Sequence, residues 1–286
     1  MPSTSIDRGQ LVILAVVLAI VAGTVWVAAG PTVRYHFRPD SDPAAVAAAD
    51  RAVTAVNDTD AYRVTIDGRA TATNGDRSAT ASLDGRALMN ASARRMHVRL
   101  SADTDDPFES DTQELHLDGY TAYRPCPYSR YTNVANASYA VDLPQNRSWR
   151  SYTYLGGLDA VFDAAKLYDE GVETVDGERA REIRLVLNPQ RVFDLGSRTA
   201  PLTEEDAEGV GGERQVSPLT APEASDIRVW VSTETGRPLR FRIALDRSRF
   251  GGADVSARFT YDIAYGPTPV AMPNRTVPTE DACPTP

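Results

Sequence analysis

The chain predicts an α+β fold: an N-terminal transmembrane helix, then a curled antiparallel β-sheet, an incomplete barrel, with helices covering its concave face. Three observations carry that reading. Residues 11–30, "LVILAVVLAIVAGTVWVAAG", contain no charge. From Ala61 onward apolar and polar residues alternate with period two through successive segments punctuated by Gly-containing turns. Strands and helices do not alternate in the β-α-β order that a parallel sheet requires, which rules out a doubly wound nucleotide fold.

Residues 1–10 form a short N-terminal segment whose one basic residue is Arg8. At about 1.5 Å per residue, 11–30 spans a hydrocarbon core of about 30 Å. A cleaved signal peptide competes with an anchor, because Val27-Ala28-Ala29 resembles a small-residue cleavage site. The apolar run is long for a signal peptide, so an uncleaved signal anchor is the preferred reading. Residues 31–42 form a tether. "DPAAVAAADRAVTAVND" then begins with Asp42 as N-cap and Pro43 at the first helical position, with Val46, Ala49, Val53 and Val56 as a narrow apolar seam.

Four strands follow: "AYRVTIDGRATAT", "RSATASLDGRALMN", "RRMHVRLSA" and "QELHLDGYTAYR". Asn74-Gly75 and Asp118-Gly119 are hairpin turns, whereas Asp67-Gly68 and Asp84-Gly85 fit bulges. Residues 124–150 read as a loop. "GGLDAVFDAAKLYDEG" predicts a second helix with Leu158, Val161, Phe162 and Ala165 on one face and Gly171 as its stop. The next hairpin turns at Asp176-Gly177 and buries Ile183, Leu185 and Leu187. Residues 196–225 are acidic and rich in Gly and Pro, the composition of a mobile loop. "DIRVWVSTETGRPLRFRIAL" is a hairpin with Ile227, Val229 and Val231 on one face, answered by Leu239, Phe241, Ile243 and Leu245. In "ADVSARFTYDIAYG" the residues Val255, Ala257, Phe259, Tyr261, Ile263 and Tyr265 share a face. The extracytoplasmic domain spans 43–272, and 273–286 is a Pro-rich tail.

Environment is legible independently of fold. Five of the eight asparagines, Asn57, Asn90, Asn136, Asn146 and Asn274, lie in N-x-S/T sequons, which argues for glycosylation and an exterior domain. The two cysteines, Cys126 and Cys283, both follow the anchor, and a disulfide between them is expected of a surface protein; two free buried thiols are the alternative. These features place the chain in the cell membrane as a single-pass protein with its C-terminal domain outside. Lys166 is the single lysine among thirty basic residues, against thirty-nine acidic ones and a net charge of −9. That balance resembles proteins of salt-adapted haloarchaea, and it excludes nucleic acid as a partner because no basic patch is available to neutralise phosphates.

The order of elements, with "AYRVTIDGRA", "LHLDGYTAY", "VDGERAREIRLVL" and "FTYDIAYGPTPVAMP", resembles the LolA/LolB and LppX-like superfamily of extracytoplasmic carriers over roughly residues 43–272. Trp230-Val231-Ser232 followed by Thr235-Gly236-Arg237-Pro238 approximates that family's W-V-D-x-x-T-G-x-P hairpin. The resemblance implies a half-barrel whose concave face accepts acyl chains. The chain departs from the family in lacking a lipobox cysteine.

Catalytic chemistry is not expected. The sequence contains no G-x-S-x-G elbow, H-E-x-x-H pair, Walker loop or C-x-x-C. His97 and His116 share a polar sheet face, but exposed strand histidines are the simpler reading, and no metal or cofactor is assigned. "DTDDPFESD" lacks the spacing of a calcium loop. Two function classes survive. One is a membrane-anchored module that binds a lipid, a lipidated partner or another hydrophobic ligand on an apolar wall of Val64, Ile66, Phe162, Ile227, Val229, Phe241, Phe259 and Tyr261. The other is a non-catalytic cell-surface structural or interaction protein with a dry core.

Overall fold

A computed structural model describes residues 35, 39–75, 77–104, 111–126, 137–188, 225–250, 253–274, 276–277 and 283. The expected anchor, the acidic tip at 105–110, the segment 127–136 with Asn136, and the acidic loop up to residue 224 lie outside these residues. Among the described residues no helix is long and apolar enough to cross a membrane.

Among the described residues twelve strands form one sheet: β1 (Ala61–Asn74), β2 (Arg77–Asn90), β3 (Arg95–Thr104), β4 (Asp111–Asp118), β5 (Thr121–Pro125), β6 (Ser138–Asp142), β7 (Ala165–Val175), β8 (Glu178–Leu187), β9 (Ser225–Ser232), β10 (Pro238–Phe250), β11 (Ala253–Tyr265) and β12 (Thr276–Val277). Their spatial order is β12-β6-β5-β4-β3-β2-β1-β11-β10-β9-β8-β7. Every neighbouring pair is antiparallel except β12 with β6. The sheet curls and stays open, with β7 at one edge. Two-residue turns join several strands as expected: Gly75 and Gly119 each have φ of 60°, and Asp176 and Gly177 have φ of 50° and 88°.

Helix α1 (Pro43–Asn57) starts at Pro43, where a missing N–H leaves no bond unmade. Asp42 occupies the N-cap position, yet its carboxylate does not cap the helix; Oδ2 accepts from the Asp169 N–H at 2.9 Å. Asp42 N–H donates to the Leu167 carbonyl at 2.8 Å, and Leu167 N–H donates to Ser41 Oγ at 3.0 Å. The helix entry is thereby tied to the edge strand β7. Its buried face is Ala45, Ala48, Ala49, Ala52 and Val56, so the expected seam is corrected: Val46 is 37% exposed and Val53 only half-buried. Methyl side chains let the helix lie close to the sheet, and a reading weighted by side-chain size turns the face toward Val46.

The second helix is shorter than expected. α2 covers only Leu158–Asp163, and "AKLYDEG" continues as β7. Pairing Leu167 with Leu185 and Ala165 with Leu187 replaces helical bonds with ladder bonds and keeps Leu167 buried. Gly171, expected as a helix stop, instead sits at a register irregularity of β7 with φ of 109°. The expected loop 124–150 contains β6 and a 3₁₀ helix, Trp149–Tyr152. Arg150 of that helix donates to the Thr59 carbonyl at 2.9 Å, next to the C-terminal end of α1. A register shift between Pro238 and Arg240 moves Leu239 off the concave face, where it packs with Trp230, Val175 and Ala180.

Asp67-Gly68 and Asp84-Gly85 are not bulges. The β1–β2 ladder runs without interruption from Ala61↔Asn90 to Asn74↔Arg77. The glycines answer close packing instead. A Cβ on Gly68 would lie 2.3 Å from Cδ1 of Phe259, its partner across β1–β11, and one on Gly85 would lie 2.4 Å from Cδ2 of Leu100, its partner across β2–β3. Each glycine leaves room for a large neighbour to lie across the strand.

The last strand ties the tail down. After β11 the chain crosses the convex face: the Thr268 carbonyl accepts from Asn90 Nδ2 at 3.3 Å, and the Ala271 carbonyl lies 3.1 Å from His116 Nδ1. β12 then pairs with β6, and Cys283 is disulfide-bonded to Cys126 with a Cα–Cα distance of 5.6 Å.

Replacing Gly68 by Ala should destabilise the protein by about 1–3 kcal/mol, the range for overpacked cores. Denaturant unfolding measures it, and the combination with Phe259→Leu should recover most of the loss. An unchanged midpoint for the single variant would show that the ring is not held against Gly68.

Candidate functional site

Strand register places the expected wall residues in two rows across the concave face. One row runs Leu100, Gly85, Ile66, Tyr261, Phe241, Val229, Ile183, each residue directly opposite the next. The neighbouring row runs Leu83, Gly68, Phe259, Ile243, Ile227, Leu185, Leu167. Directly opposed residues of an antiparallel pair share a face, so each row is a continuous apolar band. Val64, two residues before Ile66 on β1 and on the same face, pairs with Ile263.

The cover is uneven. α1 packs against β7, β8 and β9 and α2 against β7, and both belong to the same core as the wall. Val64, Ile66, Val229 and Phe259 are 0–1% exposed, and Phe162 of α2 is also buried. Phe241 and Ile243 on β10 are half-buried, so along that strand the band is incompletely covered. Seven of the eight expected residues therefore share one sheet face, buried at its centre and more open at Phe241, and the eighth, Phe162, belongs to the covering helix α2.

Tyr154 and Trp149, absent from the expected wall, join Tyr261 in bringing polar groups to this surface. The turn after the 3₁₀ helix carries Tyr154 over the sheet, with its ring 6.2 Å from that of Tyr261. The hydroxyls of Tyr154 and Tyr261 and the indole N–H of Trp149 are buried and lack a hydrogen-bond partner. The hydroxyls of Tyr154 and Tyr261 lie near enough to influence each other's ionisation through a weak contact, but no hydrogen bond of good geometry joins them. Burial raises the pKa of both phenols above the ordinary tyrosine value, with the proximity of Tyr261 adding to the rise at Tyr154. Tyr62 differs: burial pushes it up to about 12, but its oxygen accepts from the Leu155 N–H at 3.0 Å. A buried hydroxyl without a partner costs about 1–3 kcal/mol, so two beside each other on an apolar wall mark a place fitted for a polar group from elsewhere. The only sequence sign of Tyr154 and Trp149 was aromatic density in "SWRSYTYLGG".

The convex face has the opposite character. Arg228 pairs with Glu182 and Asp226, Arg240 with Asp262, and Arg242 with Asp226. Trp230 lies under Arg242, whose guanidinium carbon is 5.5 Å from the ring centroid. Further across, His97 and His116 are not the exposed strand histidines expected. They are directly opposed on β3 and β4 and stack at 4.1 Å with a 4° interplanar angle, and His116 is 5% exposed beneath the tail. Burial, and then the neighbouring His97, lowers the His116 pKa, with Glu114 opposing the shift. Among the sequons, Asn57, Asn146 and Asn274 are exposed, whereas the half-buried Asn90 uses its amide nitrogen toward Thr268.

No family model and no curated protein matches the sequence. Solved structures similar to the chain include LprF from Mycobacterium bovis (14% identity over 82% of this chain and 99% of that one, TM-score 0.41). The lipoprotein LppX of Mycobacterium tuberculosis is similar at 14% identity over 78% and 95%, with a TM-score of 0.36. A LolA superfamily protein from Nitrosomonas europaea follows at 11% identity over 79% and 94%, with a TM-score of 0.27.

The contrast between the phenols has a measurable consequence. Tyr261→Phe removes an unsatisfied hydroxyl and should leave stability unchanged or raise it by about 1 kcal/mol. Tyr62→Phe strands the Leu155 N–H and should cost about 1–3 kcal/mol. Equal losses in urea unfolding would mean that the Tyr261 hydroxyl has a partner.

Proposed function

We propose that this chain is a membrane-anchored extracytoplasmic binding protein that holds a lipid acyl chain, or an apolar ligand of similar shape, against the concave face of its sheet. The observation that carries the reading is the pair of unpartnered phenols, Tyr154 and Tyr261, on a wall otherwise made of aliphatic and aromatic side chains. Ligand sites are mostly apolar with a few polar groups that fix orientation, and this surface has that composition. The acyl chain lies along Phe241 and Ile243, where the wall is least covered, and the ligand's polar end accepts from the two hydroxyls. Function here is retention of a ligand and not a reaction.

The uncharged run 11–30 supports anchoring in the membrane, and the exposed sequons Asn57, Asn146 and Asn274 support an exterior domain. The disulfide between Cys126 and Cys283 fits an oxidising compartment. A cell-surface structural protein is the second reading, favoured by the full burial of Val64, Ile66, Val229 and Phe259.

A photoactivatable acyl probe added to the full chain in lipid nanodiscs separates the two. Peptide mapping should find label on β9, β10 and β11 that excess unlabelled lipid competes away. Phe241→Trp should reduce that label severalfold while the thermal midpoint holds. Label confined to residues 11–30, or indifferent to Phe241→Trp, would leave the structural reading in place.

A further inference from the structure

We propose that His97, Glu114 and His116 form a binding site for a divalent transition-metal ion, with Zn²⁺ as the representative, on the convex face of the sheet beneath the C-terminal tail. This inference does not depend on the lipid reading, because the site lies on the opposite face.

Strand register assembles the cluster. His97 on β3 is directly opposite His116 on β4, and Glu114, two residues before His116, projects from the same face. One ligand atom from each of the three lies within 4.8 Å of the others. Glu114 Oε1 is 2.6 Å from His97 Nε2 and 3.4 Å from His116 Nε2, so one carboxylate oxygen reaches the Nε2 edge of both stacked rings. A carboxylate with two imidazoles is the donor set that suits zinc and its neighbours, whereas calcium and magnesium favour oxygen alone.

The state of His116 sharpens the case. Its Nδ1 donates to the Ala271 carbonyl at 3.1 Å. A ligating histidine typically donates its second ring N–H in this way, which fixes the tautomer and aims the other nitrogen. With Nδ1 committed to the Ala271 carbonyl, Nε2 is the nitrogen of His116 left to face Glu114, and the same Glu114 Oε1 also lies beside His97 Nε2.

Two of the three ligand separations lie within about 1 Å of coordination spacing. With metal–ligand bonds of about 2.0–2.1 Å, tetrahedral ligand atoms lie about 3.3 Å apart. The His116–Glu114 separation already matches, and His97 Nε2 must withdraw by under 1 Å from its present 2.6 Å. An imidazole coordinates in its ring plane, so the two rings tilt out of their parallel stack as their Nε2 atoms converge. Three protein ligands leave one position for water.

The tag-free full chain, stripped with chelator and dialysed against Zn²⁺ near neutral pH, tests the site. Elemental analysis should find one tightly held ion per chain. His97→Gln and Glu114→Gln alter partly exposed positions and should each lower affinity by more than the roughly 10–100-fold expected for loss of an outer-shell partner. Zn²⁺ should raise the thermal midpoint of the parent protein and not that of Glu114→Gln, whose metal-free midpoint should stay near the parent's. Co²⁺ in place of Zn²⁺ should show the visible absorption of imidazole coordination. Failure of the stripped chain to retain Zn²⁺, or retention unaffected by both substitutions, would overturn the site and leave the trio as a hydrogen-bonded cluster.

Discussion

The pairing of β1 with β11 is the constraint on which the remaining structure depends. β1 is the first strand of the sheet and β11 the last long one, yet they lie side by side in register from Tyr62↔Tyr265 to Thr73↔Asp254. Hairpins on either side grow from that seam: β2 to β5 in one direction, β10 to β7 in the other. A slip of one residue would turn Val64 and Ile66 outward against Ile263 and Tyr261, so the apolar pattern itself enforces the register. Closing so long a loop adds little entropy beyond that of a shorter one, because the penalty grows only logarithmically. Gly68 and Gly85 sit beside the seam on adjacent rows and give Phe259 and Leu100 room.

With the register set, the two faces acquire separate chemistries. The concave face receives large aliphatic and aromatic residues, and a short alanine-lined helix can approach it closely at the β7–β9 end. That helix is held there by the Asp42, Ser41 and Leu167 bonds to the edge strand and by Arg150 near its far end. The convex face receives arginine–carboxylate pairs, each worth little alone at an exposed site. The tail crosses this face and is tied by β12 and the disulfide, which is why His116 becomes buried on the polar side of the sheet.

Much of this was legible in the sequence, and the failures share a cause. Strands with strict period two, their Asn-Gly and Asp-Gly turns, and the apolar wall were readable because each signal is local. The stretch 165–171 was read as helix because Ala, Lys and Leu favour one, but pairing with β8 outweighed intrinsic propensity. Val46 was placed inside because size was taken as a proxy for burial. Leu239 was misplaced by a bulge with no local sequence mark. Glu114-x-His116 on one strand face was visible in the sequence; the stacking with His97 needed the strand register, and the burial of His116 needed the course of a tail more than 150 residues away. Tyr154 and Trp149 were missed because a turn laid over a sheet has no periodicity to reveal its inward residues.

The central claim is that the concave face retains an apolar ligand, and the most direct measurement is of what the folded domain carries away from the membrane. A protease site inserted in the tether at 31–42 would release the domain from purified full-length protein, and mass spectrometry of an organic extract of the soluble, detergent-free fraction would quantify any ligand. The account predicts an acyl lipid present in near-equal amount to the domain. A folded domain, judged by its cooperative melting, that leaves the membrane with no lipid would contradict it.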